Sequence, residues 1–329
     1  MKLASFRNHD GETRIGLKMG DRLADLTAAF EKYLVEEKSV LPQSALEAAD
    51  VRMPTSMLAL IQREEEGQAD LQDVDAYLNK AAKGGRLMYA PSGAKITYGL
   101  EEVKLLKPLQ PRRCFNMGHN YPVYAQMGDL VFPYEGTVAS FMVTPESTIG
   151  PEGIIEWPLS AKEVCLELEL GVILGKTGKR ISQANALDYV FGYTVVNDVT
   201  GWDIMARGIG KGREGLPGFY YVLMSKSIDS FQPIGPYIVL KDEIPDPQNI
   251  AGELRVNGAP QIKGNTKEML LSVAGILEYH TQDITFYPGD VIATGGMGSE
   301  GVVPHAFVKP GDIAEAELDK IGVLKNYVH

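Results

Sequence analysis

Apolar positions near the start of the chain follow two different periods. Two short extended segments, Lys2–Arg7 and Thr13–Met19, flank a turn at Asn8-His9-Asp10-Gly11, a pattern that predicts a small hairpin. Beyond it the spacing becomes helical. Leu26, Phe30 and Leu34 share one face, then Met57, Leu60 and Ile61, then Leu71, Val74, Leu78 and Ala81, with Gly84-Gly85 as the stop. A proline-marked stretch at 107–111 predicts a boundary, giving a small N-terminal domain over 1–107 and a larger one over 108–329.

The second part is rich in short β-branched runs separated by Gly and Pro, such as residues 193–196, 237–240 and 291–293. Pro-Gly-Asp occurs at 288–290 and again at 310–312, each time before a strand-like run, and Pro-Gly favours a type II turn. A helix is predicted with Thr266 as its cap and Met269, Val273, Leu277 and His280 along one stripe. A second, short one lies over 183–189 behind Ser182. Strands do not alternate regularly with helices, so a doubly wound parallel sheet is not the natural reading. The expected class is a β-rich α+β protein.

Composition narrows the function classes. The 329 residues carry 43 acidic and 32 basic side chains, a net charge of −11, which argues against nucleic acid or an anionic membrane as partner. No window approaches the roughly 18–20 uncharged apolar residues of a membrane span, and the N-terminus lacks the apolar stretch of a signal peptide. The two cysteines, Cys114 and Cys165, make no disulfide framework and no CxxC pair, which points to a reducing cytoplasm.

Several motifs fail their context. Gly296-Met297-Gly298-Ser299-Glu300-Gly301 spells G-x-G-x-x-G, but Val302-Val303-Pro304 follows where the dinucleotide fingerprint needs a helix. Gly175-Lys176-Thr177 ends like a P-loop with its first glycine misplaced. There is no G-x-S-x-G elbow and no His-based metal motif, the five histidines being scattered.

The informative acids lie in the run from Glu163 to Leu174. Read as one strand, it sets Leu166, Leu168 and Leu170 on one face and Glu167 and Glu169 together on the other. A solvated acidic face is the plain reading. Against it, the run continues into Val172-Ile173-Leu174 without charge, and the apolar run 193–196 ends in Asn197-Asp198. Side-by-side carboxylates on a covered face persist only if protons or a cation neutralise them. Two Glu and one Asp form an all-oxygen donor set suited to Mg²⁺ or Mn²⁺, with Ca²⁺ also accommodated by such donors.

The blocks Glu167-Leu168-Glu169-Leu170-Gly171, Asn197-Asp198-Val199-Thr200, Lys226-Ser227, Val256-Asn257-Gly258 and Pro288-Gly289-Asp290 occur in an order that resembles the fumarylacetoacetate hydrolase superfamily over about 108–325. The resemblance implies a mixed-sheet roll behind a small N-terminal α+β domain, a homodimer, and a divalent metal on Glu167, Glu169 and Asp198. It also implies a metal-dependent hydrolase that cuts a C–C bond in an acylpyruvate or other β-diketone, a small dicarbonyl or 2-oxo acid. Decarboxylation, hydration and tautomerisation use the same enolate chemistry and stay open, as does a catalytically degenerate metal-binding protein.

Substrate-handling positions depart from the family pattern. Tyr124 stands where the family carries His, four residues after Asn120, and Met127 where Glu often follows. Trp202 and Met205 replace the Arg and Gln of A-R-D-x-Q. Gly296 replaces the second Thr of T-G-T-P, and Thr144 stands in a Lys position. Losing a bidentate Arg and gaining an indole predicts a less anionic or more apolar substrate tail. Tyr124 and His119 are then the candidate bases, Lys226 the candidate for stabilising negative charge, and Tyr121, Trp202, Met205 and Gly296 the candidate substrate contacts.

Overall fold

A computed structural model describes residues 1–82, 88–125, 140–208, 218–298 and 305–329. The chain divides into two compact units, Met1–Leu109 and Gln110–His329. In the first, strands β1 (Lys2–Arg7), β2 (Thr13–Met19) and β3 (Arg22–Asp25) lead into helices α1 (Leu26–Lys38), α2 (Pro42–Arg52), α3 (Met57–Ile61) and α4 (Glu64–Ala82), followed by β4 (Thr97–Gly99) and β5 (Lys104–Leu105). β1 and β2 pair antiparallel with Leu3 opposite Leu17, as the hairpin pattern requires. Asp25 caps α1, its carboxylate accepting from the Ala28 N–H at 3.0 Å. The three apolar stripes read from spacing lie on α1, α3 and α4. The Gly84-Gly85 stop falls outside the described residues.

The second unit runs β6 (Cys114–Met117), α5 (Pro122–Ala125), β7 (Ser140–Val143), β8 (Thr148–Ile149), β9 (Ile154–Ile155), β10 (Val164–Leu166), β11 (Leu168–Leu174), β12 (Val190–Asn197) and β13 (Thr200–Gly201). It continues through α6 (Trp202–Gly208), α7 (Gly218–Lys226), β14 (Gln232–Leu240), β15 (Ala251–Val256), β16 (Ala259–Asn265) and α8 (Val273–Thr281). Strands β17 (Val291–Ala293), β18 (Ala306–Val308), β19 (Ile313–Leu318) and β20 (Gly322–Val328) complete it. A mixed sheet is ordered β14-β12-β11-β17-β6-β7, a second is β16-β15-β19-β20-β9, and a short third is β13-β10-β18. The class is therefore α+β and strand-rich.

β11 and β12 are buried along their whole length, so they read as nearly continuous apolar runs. Leu168 and Leu318 both pack on Gly252, where even a Cβ would meet their methyls at 2.8 and 2.7 Å. Leu166, Leu168, Leu170, Val195, Leu254, Ile292 and Leu324 belong to one apolar core. Each such side chain contributes about 1.5–3 kcal/mol by leaving water. Both Pro-Gly-Asp turns carry a positive-φ glycine, Gly289 at 85° and Gly311 at 95°, as a type II turn demands. Among the described residues, no helix is long and apolar enough to cross a membrane.

Two sequence expectations change. The helix predicted from Thr266 begins at Val273 and is capped by Ser272, whose hydroxyl accepts from Gly275 N–H. Thr266 instead opens a single 3₁₀ turn, and its hydroxyl accepts the Ile250 N–H at 2.8 Å. A free side-chain acceptor serves whichever donor the tertiary fold brings near. The segment 183–189 is likewise a 3₁₀ helix, and Ser182 makes no side-chain capping bond.

Candidate metal centre

The acidic run is two strands, not one. β10 pairs with β13 and β18, whereas β11 pairs with β12 and β17. Glu167 is the residue between them, at the point where the chain leaves one sheet for another. Its N–H donates to Asn197 Oδ1 at 3.2 Å and its carbonyl accepts from Asp198 N–H at 3.0 Å, which ties this corner to the end of β12. Glu169 lies one step along β11, opposite Val196. Glu167, Glu169 and Asp198 are buried and converge, with one carboxylate oxygen from each within 4.8 Å of the others.

Lys226, at the end of α7, donates to Asp198 Oδ2 at 2.7 Å, to Glu167 Oε1 at 3.1 Å and to the Asp198 carbonyl at 3.3 Å. Thr200 Oγ1 donates to the same Glu167 oxygen at 3.0 Å, and the Gly295 N–H donates to Glu169 Oε2 at 2.8 Å. Two oxygens, Glu169 Oε1 and Asp198 Oδ1, are buried with no donor among the described residues. Three buried carboxylates thus face the Lys226 ammonium.

The electrostatics follow. Burial, reinforced by Asp198 and Glu167, pushes the Glu169 carboxyl well above the ordinary carboxylate range. Burial raises Asp198 to about 6 against the opposing pull of Lys226. Burial would raise Glu167 too, but Lys226 and His305 outweigh it and hold it below its ordinary value. Burial would lower Lys226, yet the facing carboxylates Asp198 and Glu167 raise it, so it stays an ammonium. Orphaned buried oxygens in an all-oxygen cluster fit a hard divalent cation.

The other sequence candidates distribute unevenly. His119 is half-buried, with φ 55°, and feels the charges of Glu167 and Lys226. Burial holds its imidazole below the usual value. Tyr121 is fully buried and feels Glu169; burial raises its phenol, whose oxygen finds no hydrogen-bond partner among the described residues. Trp202 opens α6 and packs against His305 with ring centroids 4.3 Å apart. Met205 turns toward α7, its sulfur 3.8 Å from Ser225 Oγ beside Lys226. Gly296 is buried, next to the Gly295 amide that holds Glu169. Tyr124 belongs to α5, but its side chain and the whole of Met127 lie outside the described residues.

Two contributors escaped sequence reasoning. His305 brings Nδ1 to 3.5 Å from Glu167 Oε1, and Thr200 bonds the same oxygen. Nothing in the local pattern marks His305, because only the pairing of β10 with β18 brings it to the site. Asn120 proves to be a fastener: its amide donates to the Thr294 and Leu271 carbonyls at 2.9 and 3.0 Å and accepts from Leu271 N–H at 2.8 Å.

Comparison with known proteins locates this arrangement. The family described as fumarylacetoacetate (FAA) hydrolase C-terminal matches residues 113–329. Human oxaloacetate tautomerase FAHD2A, mitochondrial, is 32% identical over 286 residues, covering 86% of this chain and 82% of its own. The solved fumarylacetoacetate hydrolase from Exiguobacterium antarcticum superposes with a TM-score of 0.71 at 28% identity, over 100% of this chain and 99% of that one. A maleylpyruvate hydrolase from Sphingobium sp. SYK-6, solved with manganese(II) and pyruvate, shares the fold at 23% identity and a TM-score of 0.67, over 100% of this chain and 98% of that one.

Proposed function

The chain belongs to the fumarylacetoacetate hydrolase family, and on that premise we propose a divalent-metal-dependent enzyme that stabilises the enolate of a small 2-oxo acid, with keto–enol tautomerisation as its reaction. The observation that carries this reading is the pair of buried oxygens without a donor among the described residues, Glu169 Oε1 and Asp198 Oδ1, in the all-carboxylate trio with Glu167. Those three residues would hold Mg²⁺ or Mn²⁺. When bound, such an ion acts as a Lewis acid toward the carbonyl oxygens of a chelating substrate.

The remaining work falls to the chain. Lys226, kept charged by Asp198 and Glu167, holds both carboxylates in place and adds positive potential where enolate charge develops. His119, whose imidazole desolvation holds below its usual value, is the candidate acceptor for the proton that leaves the carbon beside the keto group. The indole of Trp202, edge-on to Phe307 at 6.1 Å, supplies an aromatic wall for the substrate's far end. The tautomerase name of the human relative supports the reaction type.

C–C hydrolysis of an acylpyruvate is the second reading, favoured by the likeness to the Exiguobacterium hydrolase. It begins from the same enolate-stabilising site and adds water. The test is to strip the protein of metal, restore Mg²⁺ or Mn²⁺, and follow the enol absorbance of oxaloacetate and the cleavage of acylpyruvates separately. Metal-dependent interconversion well above that of the free ion, lost in Glu169→Ala, supports tautomerisation. Cleavage without interconversion selects hydrolysis. Neither activity, with metal bound and the fold intact, removes both.

A further inference from the structure

A second group of metal-ligating side chains lies beside the trio. Cys165, Glu167 and His305 are all buried, and a ligand atom of each falls within 4.8 Å of the other two. We propose that these three residues form a distinct site for a thiophilic divalent cation such as Zn²⁺ or Co²⁺, sharing Glu167 with the carboxylate trio.

The fold builds this cluster through strand register. β10 is the central strand of β13-β10-β18, with Cys165 opposite Phe307 and Leu166 opposite Ala306, so the next position along sets Glu167 beside His305. The spacing is informative. His305 Nδ1 and Glu167 Oε1 are 3.5 Å apart, longer than the roughly 2.7–3.2 Å of an N–H···O hydrogen bond. Two ligands at about 2.1 Å from a tetrahedral zinc stand about 3.4 Å apart. Contact with the tilted ring of Trp202, the planes at 47°, holds the imidazole in that position.

Donor chemistry separates the two sites. Carboxylates alone favour hard ions, whereas a thiolate with an imidazole selects softer ones. Three protein ligands leave a fourth position open, and the Cys165 thiol gives its proton to solvent on ligation. Glu167 Oε1 already accepts from Lys226 and Thr200. An ion bound there displaces Lys226, which keeps its 2.7 Å bond to Asp198. Occupancy of the softer site therefore acts on the trio through the shared Glu167.

The test uses the full chain, freed of metal, supplied with saturating Mg²⁺ and titrated with Co²⁺. A thiolate-to-cobalt charge-transfer band in the near ultraviolet is the readout, because an all-oxygen site cannot produce one. The expected result is one equivalent of band. Cys165→Ser abolishes it, His305→Ala weakens Co²⁺ affinity about tenfold or more, and Cys114→Ser and Glu169→Ala leave it in place. Cobalt binding without the band, or a band that survives Cys165→Ser, overturns the site. Should Cys165→Ser fail to fold, an unchanged affinity in His305→Ala or loss of the band in Cys114→Ser is equally decisive against it.

Discussion

Lys226 grips the Asp198 carboxylate by one oxygen only: the ammonium bonds Oδ2 at 2.7 Å, and Oδ1 stays buried without a donor among the described residues. The carboxylate is anchored on one side and presented on the other. Lys226 also reaches Glu167, so a single cation orients two of the three candidate ligands.

Replacing it tests that double role. Lys226→Met removes the cation and leaves Asp198 and Glu167 buried without it, which costs about 3–5 kcal/mol in a broken buried pair. The metal-free variant is expected to unfold at markedly lower denaturant, and Mn²⁺ is expected to recover part of the loss. Denaturation curves with and without Mn²⁺ measure both effects.

Glu169 should behave in the opposite way. Its carboxylate is fully buried among like charges, so Glu169→Gln relieves a penalty in the metal-free state. Metal-free stability is expected to stay level or rise, while the Mn²⁺-induced increase in Tm disappears. A metal-free variant clearly less stable than the parent would show that Glu169 is not held at a cost. Thermal scans at matched Mn²⁺ concentrations decide it.

Gly295 supplies the amide that holds Glu169, and it does so at φ 101°. A Cβ there would lie 2.8 Å from the Cβ of Asn120, itself fastened to Thr294 and Leu271. Gly295→Ala is therefore expected to cost about 1–3 kcal/mol in backbone strain and to weaken Mn²⁺ binding by displacing Glu169. Calorimetric titration against the parent checks the second effect separately from the first.

His280 carries a pH dependence remote from the carboxylates. It lies buried with Nε2 3.3 Å from Met117 Sδ and with Phe115 and Phe286 beside it, and Arg113 lies over both of those rings. Burial lowers its imidazole in the folded state. As pH falls through about 6.5, the unfolded chain takes up the proton first, so this contribution is complete above that value and is lost below it. His280→Leu is expected to flatten the stability profile between pH 7 and 5, with a residual slope from His119 and His305 and an opposing one from Asp198, raised to about 6. Parallel profiles for parent and variant would contradict the assignment.

The candidate ligands could be found in the chain because they are locally patterned. Glu167 and Glu169 are two residues apart in an otherwise apolar run, and Asn197-Asp198 closes another. Charges that interrupt apolar strands carry a desolvation cost, and that cost is visible without coordinates. The break in the strand at Glu167 was not visible, because which sheet each half joins depends on β13, β18, β12 and β17. The cap moved from Thr266 to Ser272 for a similar reason: once Ile250 N–H occupies the Thr266 hydroxyl, it no longer serves as a cap. Trp202 stood out as a departure from the family pattern, but its partner did not.

Sequence alone determined the strand-rich α+β class, the hairpin at the start and the acidic residues that converge, since each follows from short-range periodicity and the energetic penalty of buried charge. Only the tertiary structure decided how these acids are divided among donors. Lys226 and Thr200 take one side of Glu167, the Gly295 amide takes one oxygen of Glu169, and Asp198 Oδ1 is left without a donor among the described residues. It also placed His305 and Cys165 beside Glu167. Those relationships join residues far apart in the chain, and the register of one buried strand against its neighbours is what brings them together.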